Sequence, residues 1–467
     1  MQLMDHGLRI AALKERLRQS LWFLPAAAVV LALAAGFVLG RVQVPAGGDL
    51  DWLLFSGDND SARALLSTLL GAFVTVTGVV FSLTIVALQI ASQQFSPRLL
   101  RTFLRDRGTQ GALSTFLATC AYIAAVLQAL PTDTSEVPRA GVSVAMLLAL
   151  ASLAMLVYFI HHITQSIRVE SIMLGAERET VHAIRRIHPD PVQDAPREPH
   201  PQPPPDAAVL LADRSGYLQA VDLSKLVDAA VEADALIRLN PKVGSHVARG
   251  ELLGWIWPAD PAGTLADQRG LEVRVGDALQ LGFDRTMLQD VTFGLGQLVD
   301  IAIRAISPAI NDPRTAVEAT HHLSVLVCEL GPRHLDWLVG TDEAGRVRAV
   351  VERPSFADYL GLALDQIRRY GAGEPLVTTS LLELLGDSAG AVDVRRRDAL
   401  DRHVGLIVEA AEMATAQGAD LAQVLAAADE ARRRIDRLCR VPAAAVPPAR
   451  GDERPISPPG RTASRGV

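Results

Sequence analysis

No Asp, Glu, Lys or Arg interrupts the run from Leu21 to Gly40, and three further uncharged runs follow it before His161. Those runs decide the class of fold. At about 1.5 Å of helix rise per residue, about 20 apolar residues cross a hydrocarbon core of roughly 30 Å, and inside that core the chain must satisfy every backbone group by itself. The reading is four membrane-spanning helices, at 21–40, 65–91, 110–130 and 140–160, joined as two hairpins. Lys14, Arg16 and Arg18 precede the first run as they would in a secretory leader. Its apolar length exceeds the roughly 7 to 15 residues of a leader's core, so it is expected to stay as a span. The second run is uncharged from Ala64 to Pro97. That is longer than a bilayer needs and predicts a helix that tilts or projects beyond it.

Basic residues in short flanking segments mark the cytoplasmic side. Arg9, Lys14, Arg16 and Arg18 precede the first span, and Arg98, Arg101, Arg105 and Arg107 separate the second from the third. The opposite links carry Asp49, Asp51, Asp58 and Asp60, then Asp133 and Glu136. Arg168, Arg178, Arg185 and Arg186 follow the fourth span. Every flank agrees on a multi-pass protein of a bacterial inner membrane with both termini in the cytoplasm, 1–20 being the cytoplasmic N-terminus.

Beyond the spans the composition changes. Residues 161–187 read as a helical extension of the fourth span, and 188–205, HPDPVQDAPREPHPQPPP, as a proline-rich linker with few donors for helix or sheet. From 206 to 275, segments such as GYLQAVD and ALIRLNPKVGSHVARGELLGWIWP alternate β-favouring residues with Gly and Pro, the mark of a small β module. From Asp284 the period becomes helical, with Leu288, Val291, Leu295, Leu298, Ala302 and Ile306 at spacings of three and four, and a helical domain is expected over 284–440. The end of the chain, 441–467, mixes Pro, Arg, Ser and Gly and reads as a disordered tail. The fold class is therefore membrane α-helical with four transmembrane helices, plus a cytoplasmic α+β region.

Within the β module, VGSHVARGELLGWI resembles the hairpin of biotinyl and lipoyl carrier domains and of membrane-fusion adaptors, at Val243, Gly244, Val247, Gly250 and Leu253. Its glycines would supply turn conformations closed to other residues. The nearby Lys242 lacks the neighbours of a modified lysine, so no covalent cofactor is expected. No other cofactor is indicated. Cys120, Cys328 and Cys439 are far apart and form no CxxC or zinc spacing, and His161–His162 and His321–His322 are adjacent pairs rather than an i, i+4 clamp, so no metal site is expected. A net charge of −7 without a basic run argues against nucleic acid.

Two constellations stand out. In the second span Thr68, Thr75, Ser82 and Gln89 recur every seven residues, with Gly71 and Gly78 between them on nearly the same face. Hydrocarbon solvates such groups poorly, so the stripe must meet other helices, another subunit or water in a pore. Thr77 and Thr84 lie off that face. The second constellation is SPAINDP: Ser307, Pro308, Asn311, Asp312 and Pro313 have the chemistry of a helix break followed by an N-cap, and the residue types of a transfer site as the rival reading. No GxSxG, P-loop or HExxH accompanies it, and no catalytic residue is assigned. No Asp, Glu, Lys or Arg lies inside a span, which counts against ion-coupled transport and leaves a passive channel open.

Three stretches, GVVFSLTIVALQIASQQFSPRLLRTFLRD, GYLQAVD and LVDIAIRAISPAINDPRTA, together resemble the bacterial membrane-protein family called domain of unknown function 2254. The resemblance implies an integral membrane protein and brings no reaction or catalytic residue with it. The expectation is a homo-oligomer in the lipid bilayer, an ion channel lined by the second span. The alternative is a membrane-anchored signalling or scaffold protein whose cytoplasmic part binds a protein or small molecule.

Overall fold

The computed structural model describes residues 22–42, 54–94, 106–130, 137–166, 168–188, 200–335 and 337–438. The N-terminal 20 residues, the Phe95–Arg98 part of SQQFSPR, the basic link at 98–105, most of the proline-rich linker and the C-terminal tail lie outside them. The chain divides into two compact units, residues 1–176 and 177–467.

The first unit is a helical bundle. Among the described residues three helices are long and apolar enough to cross a membrane: α2 (Asn59–Gln94), α3 (Arg107–Ala129) and α4 (Arg139–Ser166). The first run forms a shorter apolar helix, α1 (Phe23–Leu39), of 17 residues. It begins after Trp22 and ends before Gly40, which leaves it shorter than the span expected at 21–40. Helix α2, with 36 residues, is about 54 Å long, well beyond the roughly 30 Å of a hydrocarbon core. Apolar side chains meeting in lipid gain no hydrophobic free energy, so these helices are joined by close approach and by polar contacts. Gly36 and Gly40, one turn apart on α1, have no room for a Cβ, which would lie 2.8 Å from that of Ala125 and 2.7 Å from that of Ala129 on α3. Thr119 and Ser152 share a buried hydrogen bond of 2.8 Å between α3 and α4, and the Tyr122 hydroxyl donates to the Gly141 carbonyl at 3.1 Å. Asp106 caps α3 through the Thr109 N–H and lies 2.6 Å from His162 Nε2, a partner for that histidine that its adjacent pair in sequence did not suggest.

The second unit begins within α5 (Val169–Ile187), a helix separate from α4 rather than its continuation. Eight short strands follow: β1 (Ala208–Leu211), β2 (Gly216–Val221), β3 (Ala235–Leu239), β4 (His246–Val247), β5 (Leu252–Pro258), β6 (Leu279–Gly282), β7 (Leu338–Thr341) and β8 (Val347–Val351). They build a five-stranded sheet, β1-β5-β3-β8-β7, and a three-stranded sheet, β4-β2-β6. Helices α6 (Leu223–Glu232) and α7 (Gln268–Ala278) pack with them around a core that includes Leu226, Ile237, Ile256, Leu271 and Val351. The β part thus extends past residue 275. The hairpin β7–β8 comes from inside the stretch read as helical and completes the larger sheet, with Ile237 paired in parallel to Ala349. Five helices form the remainder, α8 (Val291–Ala305), α9 (Pro313–Leu330), α10 (Phe356–Gly371), α11 (Pro375–Ser388) and α12 (Arg397–Ala414), and α13 (Gly418–Leu438) packs on α11 and α12.

The glycines of the carrier-like hairpin have the role expected of them: Gly244 and Gly250 sit at φ +94° and +83°. Their surroundings differ. A Cβ on Gly250 meets open space, whereas one on Gly244 runs into the Asp290 carboxylate. Gly250→Ala is expected to cost about 1–2 kcal/mol, the usual left-handed penalty, and Gly244→Ala clearly more. Thermal melts of both variants of the purified protein check the order.

Candidate functional site

Helix α2 turns one face to its own bundle and leaves the other bare. Ala62, Leu66, Thr77, Val80, Thr84 and Ala87 are buried, and the Thr77 hydroxyl donates to the Phe73 carbonyl and lies 3.9 Å from Cys120 Sγ of α3. The predicted stripe lies on the other side, since two residues along a helix turn it by roughly 200°. Thr68, Gly71, Thr75, Gly78, Ser82 and Gln89 are all exposed, and nothing lies within 4 Å of a Cβ built on Gly71 or Gly78. Ser61, Ala64 and Ile85 are exposed too and extend the stripe to an unbroken alternation of three and four residues from 61 to 89. That spacing is the 3.5-residue period of a left-handed helix-packing seam. The Thr68 and Thr75 hydroxyls donate to the carbonyls of Ala64 and Gly71, at 2.8 and 2.9 Å.

SPAINDP has the geometry of a cap. The Asp312 carboxylate accepts from the Thr315 N–H at 3.2 Å and the Thr315 hydroxyl at 2.6 Å, and these bonds hold its pKa below the ordinary carboxylate value. Pro313 opens α9, Asn311 takes the left-handed conformation at φ +51°, and the Ser307 hydroxyl donates to the Arg304 carbonyl. Pro308 and Asn311 are exposed. The Asp312 carboxylate and the Ser307 hydroxyl are both engaged in starting one helix and ending the other.

What the sequence did not single out is a small cavity in the second unit, about 20 Å³, where His188, Asp290, Arg353 and Tyr359 meet apolar residues such as Ile187 and Val351. His188, read as the start of the linker, is 1% exposed. Its Nδ1 lies 3.2 Å from the His334 carbonyl, which assigns the proton to Nδ1 and leaves Nε2 to accept from the Tyr359 hydroxyl at 3.4 Å. Burial, with Arg353, Arg333 and Arg396 nearby, pushes the His188 pKa down to about 3, and burial pushes the Tyr359 phenol up. Asp290 caps α8 through the Phe293 N–H and is paired with Arg285 at 2.7 Å. Lys242, beside the hairpin, is paired with Asp358 at 2.9 Å and Glu352 at 3.5 Å. His322 Nδ1 lies 2.6 Å from Glu177, and among the described residues no group of three or more His, Cys, Asp or Glu is placed to hold a metal.

A family model described as "Predicted membrane protein (DUF2254)" matches residues 18–387. The chain belongs to that family. Uncharacterized proteins of Mycobacterium tuberculosis and Mycobacterium bovis are each 40% identical to it over 439 residues, covering 92% of this chain and 83% of theirs. No solved structure matches. DUF2254 membership bears out the integral membrane reading and attaches no reaction to it.

Two variants probe these assignments. Asp312→Ala is expected to cost about 1 kcal/mol, as a lost N-cap does, measurable as a lowered unfolding midpoint. His188 titrates near 6.5 when unfolded and near about 3 when folded, so acid is taken up first by the unfolded chain. Its contribution to stability is whole above about pH 6.5 and is lost as pH falls toward about 3. His188→Gln should flatten that part of the melting temperature's pH dependence.

Proposed function

We propose that this DUF2254 protein is a homo-oligomeric ion channel of the bacterial inner membrane, with both termini cytoplasmic and α2 helices gathered around a common axis. The observation that carries the reading is the bare seam of α2. A helix that already has one packing face satisfied keeps a second, of the same period, made of Ser, Ala, Thr, Gly and Gln with a single large apolar residue, Ile85. Lipid tails offer such groups neither hydrogen bonds nor close packing, whereas a neighbouring copy offers both and a water-filled axis offers the first. Four or more such helices in a ring place hydroxyls, amides and exposed backbone along a conducting path without any charged group.

A second reading keeps the assembly and drops the pore. Thr68 and Thr75 already donate to their own helix, so in a tight seam they need no water. The oligomer then anchors a regulatory or scaffold domain, and the soluble unit binds a protein or small molecule.

Single-channel recording on the purified protein in planar bilayers, beside Thr75→Leu/Ser82→Leu, separates the two. The channel reading expects unitary currents whose conductance drops several-fold in the double variant. Silence from folded, oligomeric protein across voltage, tension and pH overturns the pore. If the leucines instead dissociate the oligomer and no current was seen, the seam serves assembly.

A further inference from the structure

The cavity beside His188 contains a cation with no counter-charge. Arg353 follows β8 and is half-buried against the cavity, and it makes no hydrogen bond or ion pair with any described residue. Other arginines near it are answered: Arg333 by Glu329 at 2.5 Å, Arg285 by Asp290 at 2.7 Å, and Arg396 by the Leu330, Gly331 and Arg333 carbonyls. Burial lowers the Arg353 pKa, the mark of a charge losing water without gaining a partner. Taking a guanidinium out of water is costly unless an anion accompanies it.

The walls suit an anion. Asp290, the carboxylate among the lining residues, is already neutralised by Arg285 and turned to the Phe293 N–H. Val291 and Thr292, in the first turn of the 15-residue α8, line the cavity, and the positive end of the helix dipole favours negative charge there. Neutral His188 and protonated Tyr359 add no negative charge. Size sets the class: about 20 Å³ accommodates one water-sized occupant.

We propose that this cavity is a binding site for a small inorganic anion of halide size, held by the Arg353 guanidinium against the first turn of α8. It joins the end of α5, the start of α8, the exit of β8 and Tyr359 of α10 through one ion, and it stands whether or not α2 lines a pore.

The test melts the purified full-length protein in detergent in sodium chloride, sodium bromide and sodium gluconate at equal ionic strength, with Arg353→Gln and Arg353→Lys alongside. Wild type is expected to melt several degrees higher in either halide than in gluconate, rising with the logarithm of halide concentration. Arg353→Lys should keep a weaker halide response, and Arg353→Gln should melt alike in all three salts. Equal wild-type midpoints in the three salts overturn the site, and so does a halide response that Arg353→Gln retains. Should Arg353→Gln not fold, equilibrium dialysis of wild type with radioactive chloride decides: about one ion per chain supports the site, and none overturns it.

Discussion

In hydrocarbon an apolar side chain gains nothing by leaving lipid for a neighbouring helix, and this rule explains the makeup of the whole membrane unit. What joins the helices is contact too close for lipid to replace, and hydrogen bonds for which lipid has no substitute. Gly36 and Gly40 bring the α1 backbone onto Tyr122, Ala125 and Ala129, the Thr119–Ser152 pair joins α3 to α4, and Tyr122 reaches the Gly141 carbonyl. The large apolar residues Leu147, Leu150, Leu153 and Val157 of α4 are exposed on the protomer, where they meet tails at no cost. Small and hydroxyl-bearing positions therefore carry the structural information in this unit, and leucines carry little of it.

In the second unit the terms reverse, and burial of apolar area does the holding. Ile237, Ile256, Leu271 and Val351 lie between strands and helices that are far apart in sequence. Most buried polar groups are answered, and Arg353 stands out as the exception beside the cavity. Arg333 illustrates the cost of admission: 7% exposed, it donates to the His188 and Glu329 carbonyls and pairs with the Glu329 carboxylate, which Arg185 also holds. The end of α5 is thereby fixed by three separate polar attachments: Arg185 and Arg333 on Glu329, Arg333 on the His188 carbonyl, and His188 on Tyr359.

The sequence carried local features well and non-local ones poorly. Uncharged length announced the long membrane helices, and the break and cap at Ser307–Pro313 could be read residue by residue because capping chemistry is confined to four neighbouring positions. Two of the late helices carry the same kind of local signal: Ser355 closes a capping box with Asp358, and Pro375 opens α11. The strand VRAVV was missed because it pairs with β3, more than a hundred residues earlier, and its flanks read as helical. The cavity had no signal at all. His188 sits at the edge of a proline-rich stretch, Asp290 looks like any N-cap, and Arg353 becomes unusual only once its lack of a carboxylate is known. The Gly36/Gly40 pair could have been found, since GxxxG in an apolar run is a known sign of close helix approach.

The stripe on α2 shows why composition alone could not say which face mattered. Thr77 and Thr84 sit roughly opposite Thr75 and Ser82, and the two sets are chemically alike. Both follow a seven-residue spacing, and both consist of hydroxyls that can bond to the preceding turn. Only three-dimensional packing separates them: Thr77 and Thr84 are 7% exposed within the bundle, and Gly71 and Gly78 face empty space. A helix under selection only to pack within its own protomer has no use for a second seam, since leucine would be cheaper in lipid and equally helical. The small residues at alternating spacings of three and four from Ser61 to Ser82 are what the proposed assembly rests on, and a seam of that period is the geometry that a second α2 would complement.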